Sequence, residues 1–94
     1  GLRMAYKIIF TEQYEKRAAK FFRKHQDLLS QYQKVLKIME LNPDHPSLRL
    51  HALKGKLAGL HSVSINISYR ITIEFIIKDE TIIPVDVGSH DQVY

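Results

Sequence analysis

HSVSINIS, His61 to Ser68, runs straight into YRITIEFII, Tyr69 to Ile77, and the reading of this stretch decides the fold. In its first half Val63, Ile65 and Ile67 alternate with Ser62, Ser64, Asn66 and Ser68, and in its second half Ile71, Ile73 and Phe75 alternate with Arg70, Thr72 and Glu74. A two-residue period places one set of side chains on each face of an extended chain, so both halves predict half-buried strands. KDET, Lys78 to Thr81, reads as a turn, and IIPVDVGSH, Ile82 to His90, as a third strand with Val85 and Val87 opposed to Asp86. Three consecutive strands of hairpin spacing predict an antiparallel meander.

Upstream the period changes. Tyr6 to Phe10 is short, aromatic and β-branched, a first strand. Thr11 is a good N-cap, and Tyr14, Ala18, Phe21 and Phe22 then recur at helical spacing, with Glu12 and Lys16 paired on the outer face. A second helix begins near Asp27, carries Leu28, Tyr32, Val35, Leu36 and Met39 on one stripe, and stops at Asn42-Pro43. The order is β-α-α-β-β-β, an α+β domain with a two-helix hairpin covering the apolar face of the antiparallel sheet. That face should carry Val63, Ile65, Ile71, Ile73, Val85 and Val87. The connection from Pro43 to Leu60 reads as irregular, its leucines tucked against the core.

The 94 residues suffice for one core, and 45% hydrophobic with 26% charged residues is the balance of a globular domain. Residues 4–94 are expected to form this single domain, and Gly1 to Arg3, ahead of Met4, read as an expression-tag remnant. Without cysteine there is no disulfide framework and no thiolate zinc site. No apolar run approaches the roughly 20 residues that cross a bilayer, so a cytoplasmic protein without a membrane partner is expected. The net charge of +4 favours an acidic partner. It concentrates in LRLHALKGKLAGLH, Leu48 to His61, where Arg49, Lys54, Lys56 and two histidines occur with no acid.

Parity also sorts the polar face. Arg70 opposes Ile71 and Ile73, and a turn at Asp79-Glu80 brings it opposite Gly88 to His90, where cross-strand Cβ atoms lie about 4.5–5.5 Å apart. Ser62 and Ser64 are expected on the same solvent-facing side, leaving room for a ligand. Asp86 shares parity with His90. An imidazole ordinarily titrates near pKa 6.5, which suits proton transfer at neutrality. Arg70 has the planar fork for a phosphate, or pairs with Glu74 or Asp86. The histidines show no helical spacing that would bring metal ligands together.

MAYKIIF, HPSLRLHALKGKLAGL, SVSINISYRI and VGSHDQVY, in this order and across nearly the whole domain, resemble the RelE/ParE superfamily of toxin–antitoxin toxins. The likeness is to the RelE/StbE-like and YafQ-like mRNA interferases. It implies a microbial RNase-like fold and cleavage of mRNA in the ribosomal A site without metal or cofactor. It further implies neutralisation by a cognate antitoxin, with the ribosome and mRNA as the other partners. Residue by residue, the resemblance implies that Arg70 holds the scissile phosphate, that His90 transfers a proton, that Tyr94 stacks on or orients the substrate, and that His51 is a further proton carrier. Lys54, Lys56, Ser62 and Ser64 are candidate RNA contacts. The chain departs from the RelE pattern, which has lysines where Ser62 and Ser64 stand, and from the YafQ-like pattern, which has histidine and aspartate at Ser64 and Ser68. A ParE-like inhibitor of DNA gyrase, or an inactive binding module, are the competing readings.

Overall fold

The computed structural model describes residues 5–76 and 79–89. Five strands form one mixed sheet, β1 (Lys7–Ile8), β2 (His51–Ala52), β3 (His61–Ser64), β4 (Tyr69–Ile76) and β5 (Thr81–Ser89), in the order β1-β5-β4-β3-β2. Helices α1 (Glu12–Lys24) and α2 (Leu29–Leu41) cover one face. The meander of β3, β4 and β5 is antiparallel, as the alternation requires. Two edges differ from expectation. β1 joins β5 in parallel, so the sheet is mixed, and the connection read as irregular supplies β2, antiparallel to β3.

The helix signals act as read. Thr11 Oγ1 accepts from the Tyr14 amide at 3.1 Å, and Lys16 lies 3.4 Å from Glu12. Between the helices a 3-10 turn, Gln26–Leu28, replaces the expected Asp27 cap, and Asn42 ends α2 in extended backbone before Pro43. Tyr14, Phe22, Tyr32, Val35 and Met39 pack against Val63, Ile65, Ile71, Ile73, Ile82 and Val87 in one buried cluster. At its centre the Tyr14 and Tyr32 hydroxyls meet at 2.8 Å.

One core assignment and one strand end are corrected. Val85 is half-buried rather than core: Thr72 faces Asp86 and Ile73 faces Pro84, so Val85 is the extra residue of a β-bulge. Ile67 is 86% exposed, because β3 ends at Ser64. There Asn66 Oδ1 accepts from the amides of Ser68 and Tyr69 at 2.9 Å, and this side-chain turn reverses the chain before Ile67 can join the sheet.

Burial raises the Tyr14 phenol well above its usual range; the Tyr32 charge and hydrogen bond add to this, and Asp86 contributes last. Burial raises Tyr32 as well, partly opposed by its bond to Tyr14. Below pH ~10 both folded and unfolded phenols are protonated and the stability is fully present. Above it the unfolded chain ionises first, so stability should fall with pH by up to ~1.4 kcal/mol per unit on account of Tyr14, with a smaller share from Tyr32. Alkaline urea titrations check this; a Tyr14→Phe/Tyr32→Phe double variant should lose that part of the slope. At pH 7, Tyr14→Phe alone should cost about 1–3 kcal/mol by stranding the Tyr32 hydroxyl, and the double variant should recover part of it.

Candidate nucleic-acid interface

The face of the sheet turned away from the helices is built by pairing alone. In an antiparallel pair, residues directly opposite point to the same side. His51 faces Ser62, Ser62 faces Thr72, Ser64 faces Arg70, and Arg70 faces Gly88. One row therefore reads His51, Ser62, Thr72 from β2 to β4, and the next reads Ser64, Arg70, Gly88 from β3 to β5. His51 and Arg70 lie two strands and two residues apart, about 12 Å between Cα atoms at ordinary sheet spacings. An extended dinucleotide spans that gap.

Arg70 is half-buried, its Nη1 shut off from solvent. A guanidinium held this way has fewer orientations to lose when it grips an anion. His51 is exposed, and its Nδ1 lies 3.3 Å from the Arg49 carbonyl oxygen. A carbonyl only accepts, so in the neutral ring Nδ1 carries the proton and Nε2 presents the lone pair. His51 and Lys54 line one cavity of about 320 Å³ with Ala52, Leu53 and Leu57. Lys56 is exposed on the 3-10 turn Gly55–Leu57 and lies outside that cavity. His90 and Tyr94 lie outside the described residues.

Ser62 and Ser64 are on the expected face but not exposed. Their relative exposures are 0% and 6%. A short hydroxyl on an interior strand is overtopped by the longer side chains of both neighbouring strands, and β2, unforeseen in the sequence, supplies the second neighbour. Neither serine offers the open floor expected of it. Asp86 also departs: the bulge at Val85 breaks the parity, and Asp86 lines a cavity of about 540 Å³ under α1 with Arg17, Lys20 and Lys24. Its Oδ1 accepts from the Val87 amide at 2.9 Å. A residue the sequence reading counted only as charge, Arg49, borders Ser64 in a cavity of about 150 Å³. Its place in that cavity depends on the turn after Leu48 and on the end of β3, which no local pattern in the sequence marks. Among the described residues no cluster of three or more histidines and acids could hold a metal ion, and no helix is long and apolar enough to cross a membrane.

The architecture is that of the RelE-superfamily toxins. YafQ from E. coli strain BL21(DE3) matches with a TM-score of 0.75 over 95% of this chain and 98% of its own, at 12% identity. The E. coli DinJ–YafQ toxin–antitoxin complex matches with a TM-score of 0.74 at 15% identity, covering 97% of this chain and 99% of that one. The toxin–antitoxin complex RelBE2 from Mycobacterium tuberculosis matches with a TM-score of 0.62 at 18% identity, covering 92% and 99%. At such identities the likeness is one of fold. No protein-family model matches the chain, and no curated protein matches its sequence.

Placing a lysine at Ser62, where the RelE pattern has one, tests the corrected burial. Ser62→Lys should destabilise by more than ~2 kcal/mol, since it forces an ammonium into a position closed to solvent, whereas Ser62→Ala should cost far less. Urea midpoints of the two variants decide it; equal midpoints would mean that the position is open.

Proposed function

We propose that this chain is a toxin of the RelE type, an endoribonuclease that cleaves mRNA in the ribosomal A site and is neutralised by a cognate antitoxin. What supports the reading is the placement of Arg70 and His51 on the one sheet face that no helix covers, in a fold shared with toxins of toxin–antitoxin complexes. A sheet face carrying a half-buried guanidinium and an exposed, oriented imidazole has the parts that phosphodiester cleavage needs.

The proposed reaction begins with the 2′-hydroxyl of the mRNA attacking the adjacent phosphorus in line. The O2′–P bond forms and the P–O5′ bond breaks, leaving a 2′,3′-cyclic phosphate and a 5′-hydroxyl. One base takes the 2′ proton and one acid protonates the departing 5′ oxygen. Arg70 donates paired hydrogen bonds to the non-bridging oxygens as charge gathers there. His51, with Nε2 as its acceptor nitrogen, is one proton carrier, His90 is the other, and Tyr94 stacks on the substrate. Lys54 and Lys56 add positive potential along the approaching strand. No step uses a metal.

The experiment is incubation with translating ribosomes followed by mapping of mRNA 5′ ends. Arg70→Ala, His51→Ala and His90→Ala should each reduce cleavage by about 10²-fold or more, the range for removing a proton-transfer or charge-stabilising group. Exposed His51 should do so with a melting shift below about 4 °C. Lys37→Ala, exposed on α2, is the control and should cleave like wild type. If the wild-type protein leaves mRNA intact and instead blocks gyrase supercoiling, the gyrase-inhibitor reading replaces this one.

A further inference from the structure

The small cavity beside Ser64 has a composition unlike the rest of the surface. Ser47, Arg49, Ser64, Ile65, Asn66 and Ile67 line about 150 Å³ at the end of the sheet where β3 turns into β4. That volume is below the ~300 Å³ of small-molecule sites, and suits one tetrahedral anion with a water or two at ~30 Å³ each. Ser64, 94% buried, is one of its lining residues, and Ser64 Oγ has no hydrogen-bond partner. A buried hydroxyl without a partner is uncommon and asks for an explanation. Arg49, exposed at the rim, brings a guanidinium, and its own backbone sits at φ 48° and ψ 48°, a left-handed conformation that side-chain-bearing residues rarely adopt.

The cavity is also in register with Arg70. Ser64 stands directly opposite Arg70. Arg49 lines the same cavity as Ser64. Arg49 and Arg70 thus both adjoin Ser64, one through the shared cavity and the other across the strand pair. The Arg49 carbonyl meanwhile fixes the His51 ring, so the chain that positions this cation also positions the imidazole.

We infer that Arg49, with Ser64 Oγ and the Asn66 side-chain amide, forms a second phosphate subsite that takes the phosphodiester next to the one held by Arg70. This rests on the nuclease reading above. The Asn66 carbonyl oxygen is committed to the amides of Ser68 and Tyr69, which leaves its NH₂ group as the donor. Guanidinium, hydroxyl and amide together offer donors and positive charge, the complement of a phosphate. Ile67, 86% exposed on the same rim, offers an apolar surface to the attached nucleoside. With two phosphates gripped, the RNA runs across β2, β3 and β4 and presents its 2′-hydroxyl between His51 and Arg70.

The test is direct binding of a 2′-deoxy trinucleotide, which carries two phosphodiesters and cannot be cleaved, followed by fluorescence anisotropy against salt. Arg49→Asn is the variant of choice, because asparagine tolerates the left-handed backbone that Arg49 adopts. It should weaken binding about fivefold at low salt, the upper range for an exposed ion pair. It should also lower the slope of log affinity against log salt by about 0.7, the step expected when one phosphate of a single strand is no longer neutralised. Ser64→Ala should weaken binding while leaving the unfolding midpoint unchanged or raised, since it removes an unpartnered hydroxyl. Lys37→Asn should alter neither affinity nor slope. An unchanged slope in Arg49→Asn, no trinucleotide binding by wild type, or competition by inorganic phosphate with no Arg49-dependent oligonucleotide binding would each overturn the subsite. Cleavage by wild type on ribosomes reads the underlying function separately. Intact cleavage with an unchanged slope removes only the subsite, and an Arg49-dependent slope without cleavage removes only the nuclease.

Discussion

Everything on the open face depends on the register between β3 and β4, and that register is set by one asparagine. Asn66 Oδ1 takes the amides of Ser68 and Tyr69, so the chain reverses immediately after Ser64-Ile65 and Ser64 comes to rest opposite Arg70. A strand that slips by one residue turns its whole apolar set to the other side. Here that would bury Arg70 and Ser62 under the helices and expose Ile71, Ile73 and Val63, which are now at 0% exposure. The core therefore enforces the register from one face while the turn enforces it from the hairpin end. The positions of Ser64, Arg70 and Thr72 follow from that register. A polar surface specified by what lies beneath it is free to carry groups chosen for chemistry.

How much of this was legible follows from which signals are local. The meander could be read because alternation is written into each strand, and the helices because Thr11, the 3.6-residue stripe and Asn42-Pro43 are local marks. β2 could not: two residues, His51 and Ala52, carry no period, and they become a strand only because β3 offers an unpaired edge. The same holds for β1, two residues whose parallel pairing with β5 is a tertiary choice. Ile67 misled because an apolar residue at the right parity extends a pattern on paper, while the neighbouring Asn66 had already committed the backbone to a turn.

The site was legible along the strands and not across them. The turn at Asp79-Glu80 put Arg70 opposite the stretch from Gly88 to His90, and the pairing with Gly88 agrees. Parity failed at Asp86 because Val85 adds one residue and shifts the phase between Pro84 and Val87, both of which are buried. It also failed on exposure. Alternation says which face a side chain takes, but depth below the surface depends on the length of its neighbours, and Ser62 and Ser64 sit between longer ones. Arg49 went unread for a related reason, since the cavity it shares with Ser64 exists only in the folded chain.

The burial of these hydroxyls bears on what the face is for. Ser64 Oγ and Thr72 Oγ1 are both closed to solvent and both lack a hydrogen-bond partner, each at a cost of about 1–3 kcal/mol. Alanine and valine fit the same spaces without that cost, and the opposite face uses apolar residues throughout its core. The core does not need the hydroxyls, the register does not need them, and no helix lies over them. Ser64 faces Arg70 across one strand pair and shares a cavity with Arg49, while Thr72 adjoins the Ser62 row that leads to His51. Two buried donors without partners, close to Arg70 and to the row that ends at His51, are a cost that packing alone does not explain. In the proposed function, a phosphodiester, whose oxygens accept hydrogen bonds, is the partner that such donors lack.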